Sequence, residues 1–213
     1  MPDRRSVLKG GLGLALAAAV PAARGSAQDA GGAWIDVPAY AQQRNLSCEF
    51  AALTIATAAF GAWISEYEFE ALVPRSENPH WGFRGDIHGW WGNTDDYGVY
   101  PEPLVGALAA YGYYGEVMYA AGNPWAIRSR LDAGIPVLLW LAFQGDQGSY
   151  GTANDGSSFL LMPGYHVVVA NGYDEGGIHV ADPATGGFAW YDWGTMLWMW
   201  EIMDGMALAV SPY

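Results

Sequence analysis

Apolar residues surround one predicted helix in the first third of the chain, and polar or small residues mark its two ends. Residues 48–60 are rich in alanine and apolar nearly all round, which is typical of a helix buried in a core. Ser47 before this segment is a preferred N-cap residue, and Gly61 after it is a preferred stop. Ser65 and Glu68 have the spacing of a capping box, which predicts a second, short helix.

The middle of the chain combines a long segment without periodicity and several regular elements. Residues 74–100 contain many Gly, Trp, Asp and His residues and predict a loop. A loop of this length in a compact domain is usually functional or disordered. Residues 101–111 and the segment after Asn123-Pro124 predict helices that end at glycine. The continuous apolar run 135–143 predicts a buried strand, and residues 144–163 form a polar, glycine-rich insertion.

The C-terminal third predicts an antiparallel meander. Strands are expected at 165–172, 178–181 and 188–193, with turns between them. A helix with an aromatic face is expected at 195–203 and a closing strand at 206–210; shorter strands are expected earlier, at 34–39 and 113–119. Because helices come first and most antiparallel strands follow, the predicted fold class is α+β.

The N-terminus has the layout of an export signal. Arg4, Arg5 and Lys9 precede an apolar run at 10–20 that is too short to span a membrane, and small residues follow. The stretch 4–9 resembles the twin-arginine signal, which implies the twin-arginine export machinery as a partner; ordinary secretion is the alternative. We therefore expect a signal peptide over 1–27, a flexible leader over 28–33 and an exported domain over 34–213, periplasmic or extracellular.

The charge balance excludes two classes of partner. The formal net charge is −13, and because the first 27 residues contribute +3, the remainder carries −16 and has no lysine. Nucleic acids and anionic membranes are bound by basic patches, so we expect neither as a partner once the signal is removed. A cationic substrate is compatible with this charge, and so is a simple gain in solubility.

Cys48 is the candidate nucleophile. It is the one cysteine in the chain, so no intramolecular disulfide can form. It stands at the start of the predicted buried helix, where the helix field and a neighbouring imidazolium both favour a thiolate. A buried, inert thiol is the alternative. Gln42, six residues earlier, can place a side-chain amide beside the thiol, where it would stabilise an oxyanion together with the Cys48 backbone N–H.

His166 is the candidate base among four histidines. It begins a strongly apolar strand, which can hold the ring rigidly, whereas His80 and His88 lie in the long loop and His179 lies in the next strand. Asp182 ends the strand that is expected to pair with the strand of His166, and a proline follows that cannot continue a ladder. A carboxylate at this place can accept from the ring and fix its tautomer.

These residues lie within segments that resemble the peptidase C39-like family. The matching segments are Val37–Gln42, Ser47–Leu53, Phe83–Asp86, Tyr97–Pro101, Tyr165–Asp174 and Val180–Pro183. The resemblance spans about residues 34–210 and implies a papain-like cysteine peptidase fold, with N-terminal helices packed on a C-terminal antiparallel sheet. It also implies Cys48 as nucleophile, His166 as base, Asp182 as orienting carboxylate and Gln42 as oxyanion donor. Many members have Gly-Pro after the cysteine, whereas this chain has Glu49-Phe50.

The long loop 74–100 supplies the candidate substrate-binding residues. Aromatic side chains line grooves that hold extended ligands. We assign substrate contacts to Trp81, Asp86, Trp90, Trp91 and Tyr97. The histidines and carboxylates of this loop lack a recognised zinc spacing. Neither a metal nor another cofactor is implied, because thiol hydrolysis needs none.

The sequence therefore predicts an exported, cysteine-dependent hydrolase of peptide or amide bonds. Cys48 would attack the carbonyl carbon, and His166 would take the thiol proton and pass it to the leaving amine. Two alternatives stay open: a catalytically weak module that binds peptide or cell-wall glycopeptide, and an acyl transferase that uses an amine acceptor. An inert thiol with tight peptide binding would indicate the first, and a transfer product would indicate the second.

Overall fold

Helices precede most of the strands along the chain, as the hydrophobic pattern predicts. The structure is a computed structural model that describes residues 31–213. Its elements are β1 (Ala33–Trp34), α1 (Cys48–Ala58), α2 (Glu66–Glu70), α3 (Pro101–Ala110), β2 (Tyr113–Tyr119), α4 (Trp125–Asp132), β3 (Val137–Ala142), β4 (Ser149–Thr152), β5 (Ser158–Leu161), β6 (Tyr165–Tyr173), β7 (Gly177–Asp182), β8 (Gly187–Asp192), α5 (Trp193–Ile202) and β9 (Met206–Pro212). The α+β fold class is confirmed. None of the helices within 31–213 has the length and hydropathy that a membrane crossing requires.

One antiparallel sheet of seven strands forms the centre of the fold. Its order is β2-β9-β3-β6-β7-β8, and β1 pairs with β6. All six residues of β3 are buried, as are the first eight of β6. This burial explains the continuous apolar sequence of β3, because a strand covered on both faces cannot alternate with polar residues. Helices α1 and α5 both pack on β3 and contribute to the core.

Buried charges fix the loop that leads into α1. Arg44 pairs with Glu66 at 3.2 Å and also with Glu70. The Glu66 carboxylate accepts a second bond from the backbone N–H of Gln43 at 2.8 Å. Ser47 precedes the helix as predicted, but its hydroxyl donates to the Arg44 carbonyl and does not cap the helix. The position of the first residue of α1 is therefore set by tertiary contacts and not by a local cap.

Two local features differ from the expectation. The strand expected at 34–39 is limited to β1, where Ala33, the last residue of the expected leader, pairs with Tyr173. The insertion 144–163 contains an antiparallel ribbon of β4 and β5. By contrast, the capping box of Ser65 and Glu68 is present at the start of α2. The predicted signal peptide 1–27, with its twin-arginine motif, lies outside the described residues.

The β4–β5 ribbon is attached to the long loop 74–100. The Tyr97 hydroxyl accepts from the backbone N–H of Met162 at 2.7 Å, and the Tyr100 hydroxyl donates to the Leu160 carbonyl at 2.7 Å. The two buried hydroxyls also bond to each other at 2.8 Å. Because the ribbon runs directly into β6, these bonds fix the chain just before His166.

Candidate active site

Cys48 is the first residue of α1, and only 6% of it is exposed. The backbone N–H groups of a first helical turn have no acceptor within the helix, so they remain available to a ligand. The Cys48 thiol lies 3.4 Å from Glu49 Oε2, and the backbone N–H of Val167 also acts on the sulfur. The sulfur is therefore held between the start of its own helix and strand β6.

His166 and Asp182 meet across neighbouring strands. Val169 on β6 pairs with Ala181 on β7, so Asp182 stands one step beyond that pair. Side chains two residues apart share a face of a sheet, which makes His166 a diagonal neighbour of Asp182. Their side chains meet at 2.6 Å between His166 Nε2 and Asp182 Oδ1. The Phe143 ring lies edge-on to the imidazole, with the centroids 5.6 Å apart.

A single cleft of about 480 Å³ brings the predicted catalytic residues together. Its lining residues are Gln42, Gln43, Arg44, Asn45, Leu46, Cys48, Trp91, Tyr97, Phe143, Tyr165, His166, Asp182 and Ala184. These residues come from the loop before α1, the long loop 74–100, the end of β3, the start of β6 and the end of β7. The four residues in the order Gln, Cys, His and Asp thus reach one site, although 140 positions separate the first from the last.

The surroundings of Cys48 favour the neutral thiol over the thiolate. Burial raises the pKa of the Cys48 thiol well above its ordinary value, and the negative charge of Glu49 raises it further. The backbone N–H groups of Val167 and Glu49 oppose this shift. Desolvation and the Glu49 charge thus oppose the thiolate that the helix field and a neighbouring imidazolium favour.

The Asp182 carboxyl is held in its charged form. Burial opposes its ionisation, but the hydrogen bond and charge of His166 outweigh burial and hold the pKa of this carboxyl below its ordinary value. The backbone N–H of Ala184 adds a bond to the same Oδ1 atom at 2.9 Å. With Nε2 bound to Asp182, Nδ1 is the ring nitrogen of His166 that bonds to no other residue within 31–213.

Gln42 reaches the cleft, but its amide group is engaged within its own loop. Nε2 donates to the carbonyls of Arg44 at 2.8 Å and Asn45 at 2.9 Å, which uses both of its hydrogens. Oε1 is buried and has no hydrogen-bond partner in the described part of the chain. To donate to an oxyanion, the amide has to give up one of these carbonyls. The Cys48 backbone N–H could donate to an oxyanion without first giving up another hydrogen bond.

The predicted substrate-binding residues fall into two groups. Trp91 and Tyr97 line the cleft, and Trp91 Nε1 donates to a backbone carbonyl of β6 at 2.8 Å. Trp81 and Asp86 border two other hollows, and Trp90 is 85% exposed. These last three residues do not line the cleft, and their assignment to substrate stays a prediction.

Phe143 and Glu49 are among the residues that reasoning from sequence did not assign to the site. Phe143 packs on the ring of His166. Glu49 is fully buried beside the thiol, and its Oε1 accepts from the backbone N–H of Val99 at 3.0 Å and from the Tyr165 hydroxyl. A signal for Glu49 was present in the sequence, because a charged residue near the start of a helix that is apolar all round must itself be buried.

His80 of the long loop contacts polar groups outside the cleft. His80 Nδ1 contacts Glu102 at 3.1 Å and the Tyr119 hydroxyl at 3.2 Å. Within residues 31–213, no group of three or more His, Cys, Asp or Glu side chains is arranged to hold a metal ion.

Comparisons with known proteins place this geometry in a family. The profile of the Peptidase C39 like family matches residues 34–208. A Bacillus anthracis protein assigned as a C39-like peptidase superposes with a TM-score of 0.71 at 20% identity, over 84% of this chain and 96% of that one. The peptidase domain of Streptococcus ComA, a bifunctional ABC transporter involved in quorum sensing, superposes with a TM-score of 0.55 at 13% identity, over 84% of this chain and 99% of that one. At these identities the two structures show the fold alone, and no curated protein matches the chain. Because the family profile covers most of the sequence, the chain belongs to the Peptidase C39 like family.

Proposed function

We propose that this chain is an exported cysteine peptidase in which Cys48 is the nucleophile, His166 the base and Asp182 the orienting carboxylate. The observation that carries the proposal is the shared cleft: all three residues line it, and the His166–Asp182 pair is formed at 2.6 Å. Membership of a peptidase family supports hydrolysis of a peptide bond as the reaction class.

The proposed reaction follows from the positions of the protons. Nδ1 of His166 takes the Cys48 proton, and the thiolate attacks the carbonyl carbon of the substrate. The Cys48 backbone N–H stabilises the oxyanion, with Gln42 as the second donor once its amide leaves a loop carbonyl. The imidazolium then protonates the leaving amine, and a thioester remains on the sulfur. Water, activated by His166, hydrolyses the thioester and restores the thiol.

An extended peptide is the substrate class that we propose. The aromatic rings that line the cleft are those of Trp91, Tyr97, Phe143 and Tyr165. Aromatic rings bind an extended peptide because they bury a large apolar area and make edge-to-face contacts. Export through the twin-arginine machinery belongs to the same proposal and depends on residues 1–27. A periplasmic or extracellular peptide would then be the substrate.

The first experiment compares the purified protein with its Cys48→Ala variant on a proteome-derived peptide library, with cleavage products identified by mass spectrometry. We expect cleavage by the wild type and none by the variant, together with loss of labelling by a thiol-directed inhibitor. Gln43→Ala serves as a matched control, because this residue borders the cleft but its backbone makes the bond that fixes the loop. Cleavage that survives in Cys48→Ala would refute the nucleophile.

One observation favours a second candidate, a peptide-binding module without turnover. The raised pKa of the buried Cys48 thiol describes a sulfur that holds its proton. On this alternative the wild type and Cys48→Ala bind the same peptides with the same affinity, and neither cleaves them. Binding measured by isothermal titration calorimetry on both proteins separates the two candidates.

A further inference from the structure

Glu49 is a buried carboxyl group next to the sulfur, and the proposed reaction above leaves it without a role. None of its surface is exposed. No Arg or Lys side chain forms an ion pair with it among residues 31–213. A buried, unpaired carboxylate is costly and tends to take up a proton. The protonation state of Glu49 sets the charge next to the sulfur, because the carboxyl group lies 3.4 Å from it.

The two oxygens of Glu49 are in different surroundings. Oε1 accepts from the Val99 backbone N–H at 3.0 Å and from the Tyr165 hydroxyl. Oε2 has the Cys48 sulfur at 3.4 Å as its one hydrogen-bond partner in the described chain. Because two donors already occupy Oε1, a proton on this carboxyl group belongs on Oε2. It then lies on the line between the carboxyl group and the sulfur.

The backbone is shaped to allow this contact. Gly98 has φ of +138°, and a Cβ at that position would lie 2.3 Å from Glu49 Oε1 and 2.0 Å from the Tyr165 hydroxyl. Glycine is required where a backbone approaches a side chain so closely. The loop can therefore deliver the Val99 N–H to Oε1 only because residue 98 has no side chain.

We propose that Glu49 carries a proton of its own on Oε2 when Cys48 attacks, and that this neutral carboxyl group donates a hydrogen bond to the thiolate. In the resting form Glu49 is ionised, and the thiol keeps its proton and donates a hydrogen bond to the carboxylate. In the reactive form the Cys48 proton passes from Sγ to Nδ1 of His166, as in the proposed reaction, and from there to the leaving amine. The reactive form therefore holds one proton more than the resting form, which Glu49 takes up from solvent.

The direction of the pH dependence follows from charge. Burial raises the pKa of Glu49, while the bonds from Tyr165, Val99 and Cys48 lower it, and burial prevails. Above that pKa the carboxylate is negative and repels a second negative charge on the sulfur, so the thiol keeps its proton. Reactivity is therefore present when Glu49 is protonated and is lost as the pH rises through its pKa. The other titratable groups near the pair are Tyr97 from the long loop, with His166 and Asp182 across the cleft.

The test measures the rate at which iodoacetamide alkylates Cys48 in the full chain, over the pH range in which glutamate, histidine and cysteine titrate, about 4 to 9. The chain has one cysteine, so the signal has one source. In Glu49→Gln the negative charge is absent at every pH, and we expect alkylation at neutral pH to be faster than in the wild type by about tenfold or more, since each unit of thiol pKa is worth tenfold. Glu102→Gln, outside the cleft, should follow the wild-type profile.

A second variant tests whether the protonation of Glu49, and not the packing of its side chain, controls the reactivity of Cys48. Tyr165→Phe removes a donor that stabilises the ionised carboxylate, so Glu49 keeps its proton to higher pH and alkylation should persist to higher pH than in the wild type. A purely structural role of Glu49 moves neither profile along the pH axis. Superimposable profiles for the wild type, Glu49→Gln and Tyr165→Phe would overturn the proposal.

The wild type alone provides an independent measurement if Glu49→Gln does not fold. Carbon-13 NMR of glutamate carboxyl groups should show one group that titrates above the ordinary glutamate value of about 4.3, at the pH where alkylation slows. Absence of such a group overturns the proposal. The inference rests on the proposed function, but its failure is separable, because alkylation of Cys48 needs no peptide substrate.

Discussion

The bond between His166 and Asp182 allows a sharp test of how the base is oriented. Both bonds that Asp182 accepts through its side chain, from His166 Nε2 at 2.6 Å and from the Ala184 N–H at 2.9 Å, end on the single atom Oδ1. An asparagine has an equivalent oxygen at this place, and two facing N–H donors select that oxygen over the amide nitrogen. Asp182→Asn should therefore keep the geometry of the ring and lose only the charge.

The magnitudes follow from the difference between charged and neutral hydrogen bonds. A bond to a charged group contributes about 1.5–3 kcal/mol and a neutral one about 0.5–1.5 kcal/mol, so the asparagine should cost about 1 kcal/mol. At about 1.4 kcal/mol for each factor of ten, that is a loss of about five- to tenfold in kcat/KM. Asp182→Ala removes the orienting bond altogether, and a loss of about 2–3 kcal/mol corresponds to about 30- to 150-fold.

The assay is steady-state cleavage of a peptide identified from the library, at a pH above the carboxylate pKa. The protein offers a matched control in Asp174, which makes a comparable bond to His179 at 3.0 Å outside the cleft. Asp174→Asn should leave kcat/KM unchanged. Equal losses in Asp182→Asn and Asp182→Ala would refute the argument that orientation outweighs charge, and no loss in either would remove Asp182 from the mechanism.

Two further predictions concern the loop before α1. Gln42→Ala should lower kcat by about 100-fold with little change in KM, because a lost oxyanion donor acts on the transition state; an unchanged kcat would show that its amide stays on the loop carbonyls. Arg44→Met leaves two acidic partners without their buried cation and should lower the free energy of unfolding by about 3–5 kcal/mol. Denaturation by urea measures this loss, with the exposed Arg75→Met as a control that should change little.

The regular elements could be predicted because the hydrophobic pattern of each one is typical of either a helix or a strand. The apolar sequences of β3, β6 and most of β7 predict buried strands, and the structure confirms their burial. Strand β8 instead alternates between half-buried and exposed residues. The order of Gln42, Cys48, His166 and Asp182, together with the family resemblance, was enough to name residues that the structure brings into one cleft. The distances between these residues, and the raised pKa of the Cys48 thiol, depend on burial in the folded chain, which a local sequence pattern does not reveal.

The long loop and the insertion show where such reasoning ends. The path of loop 74–100 is set by backbone bonds between residues far apart in sequence, such as Phe83 to Pro74 at 2.8 Å and Arg84 to Gly98 at 2.8 Å. Backbone groups are the same in every residue, so the side chains could not reveal this path, nor that Trp81 and Asp86 border hollows other than the cleft. In the same way, β4 and β5 are only four residues long and partly exposed, which leaves little alternation to detect.

The position of β9 in the sheet has a consequence for how the molecule is made. This strand comes last in sequence, yet it lies between β2 and β3, and it is the only strand of the sheet that pairs with β2. A nascent chain on the ribosome cannot close the sheet until residues 206–212 have emerged, so β2 and one edge of β3 remain open throughout synthesis. Open strand edges invite aggregation. Chaperones that bind such edges should therefore engage this protein late in translation, and a stop codon before Met206 should yield insoluble product.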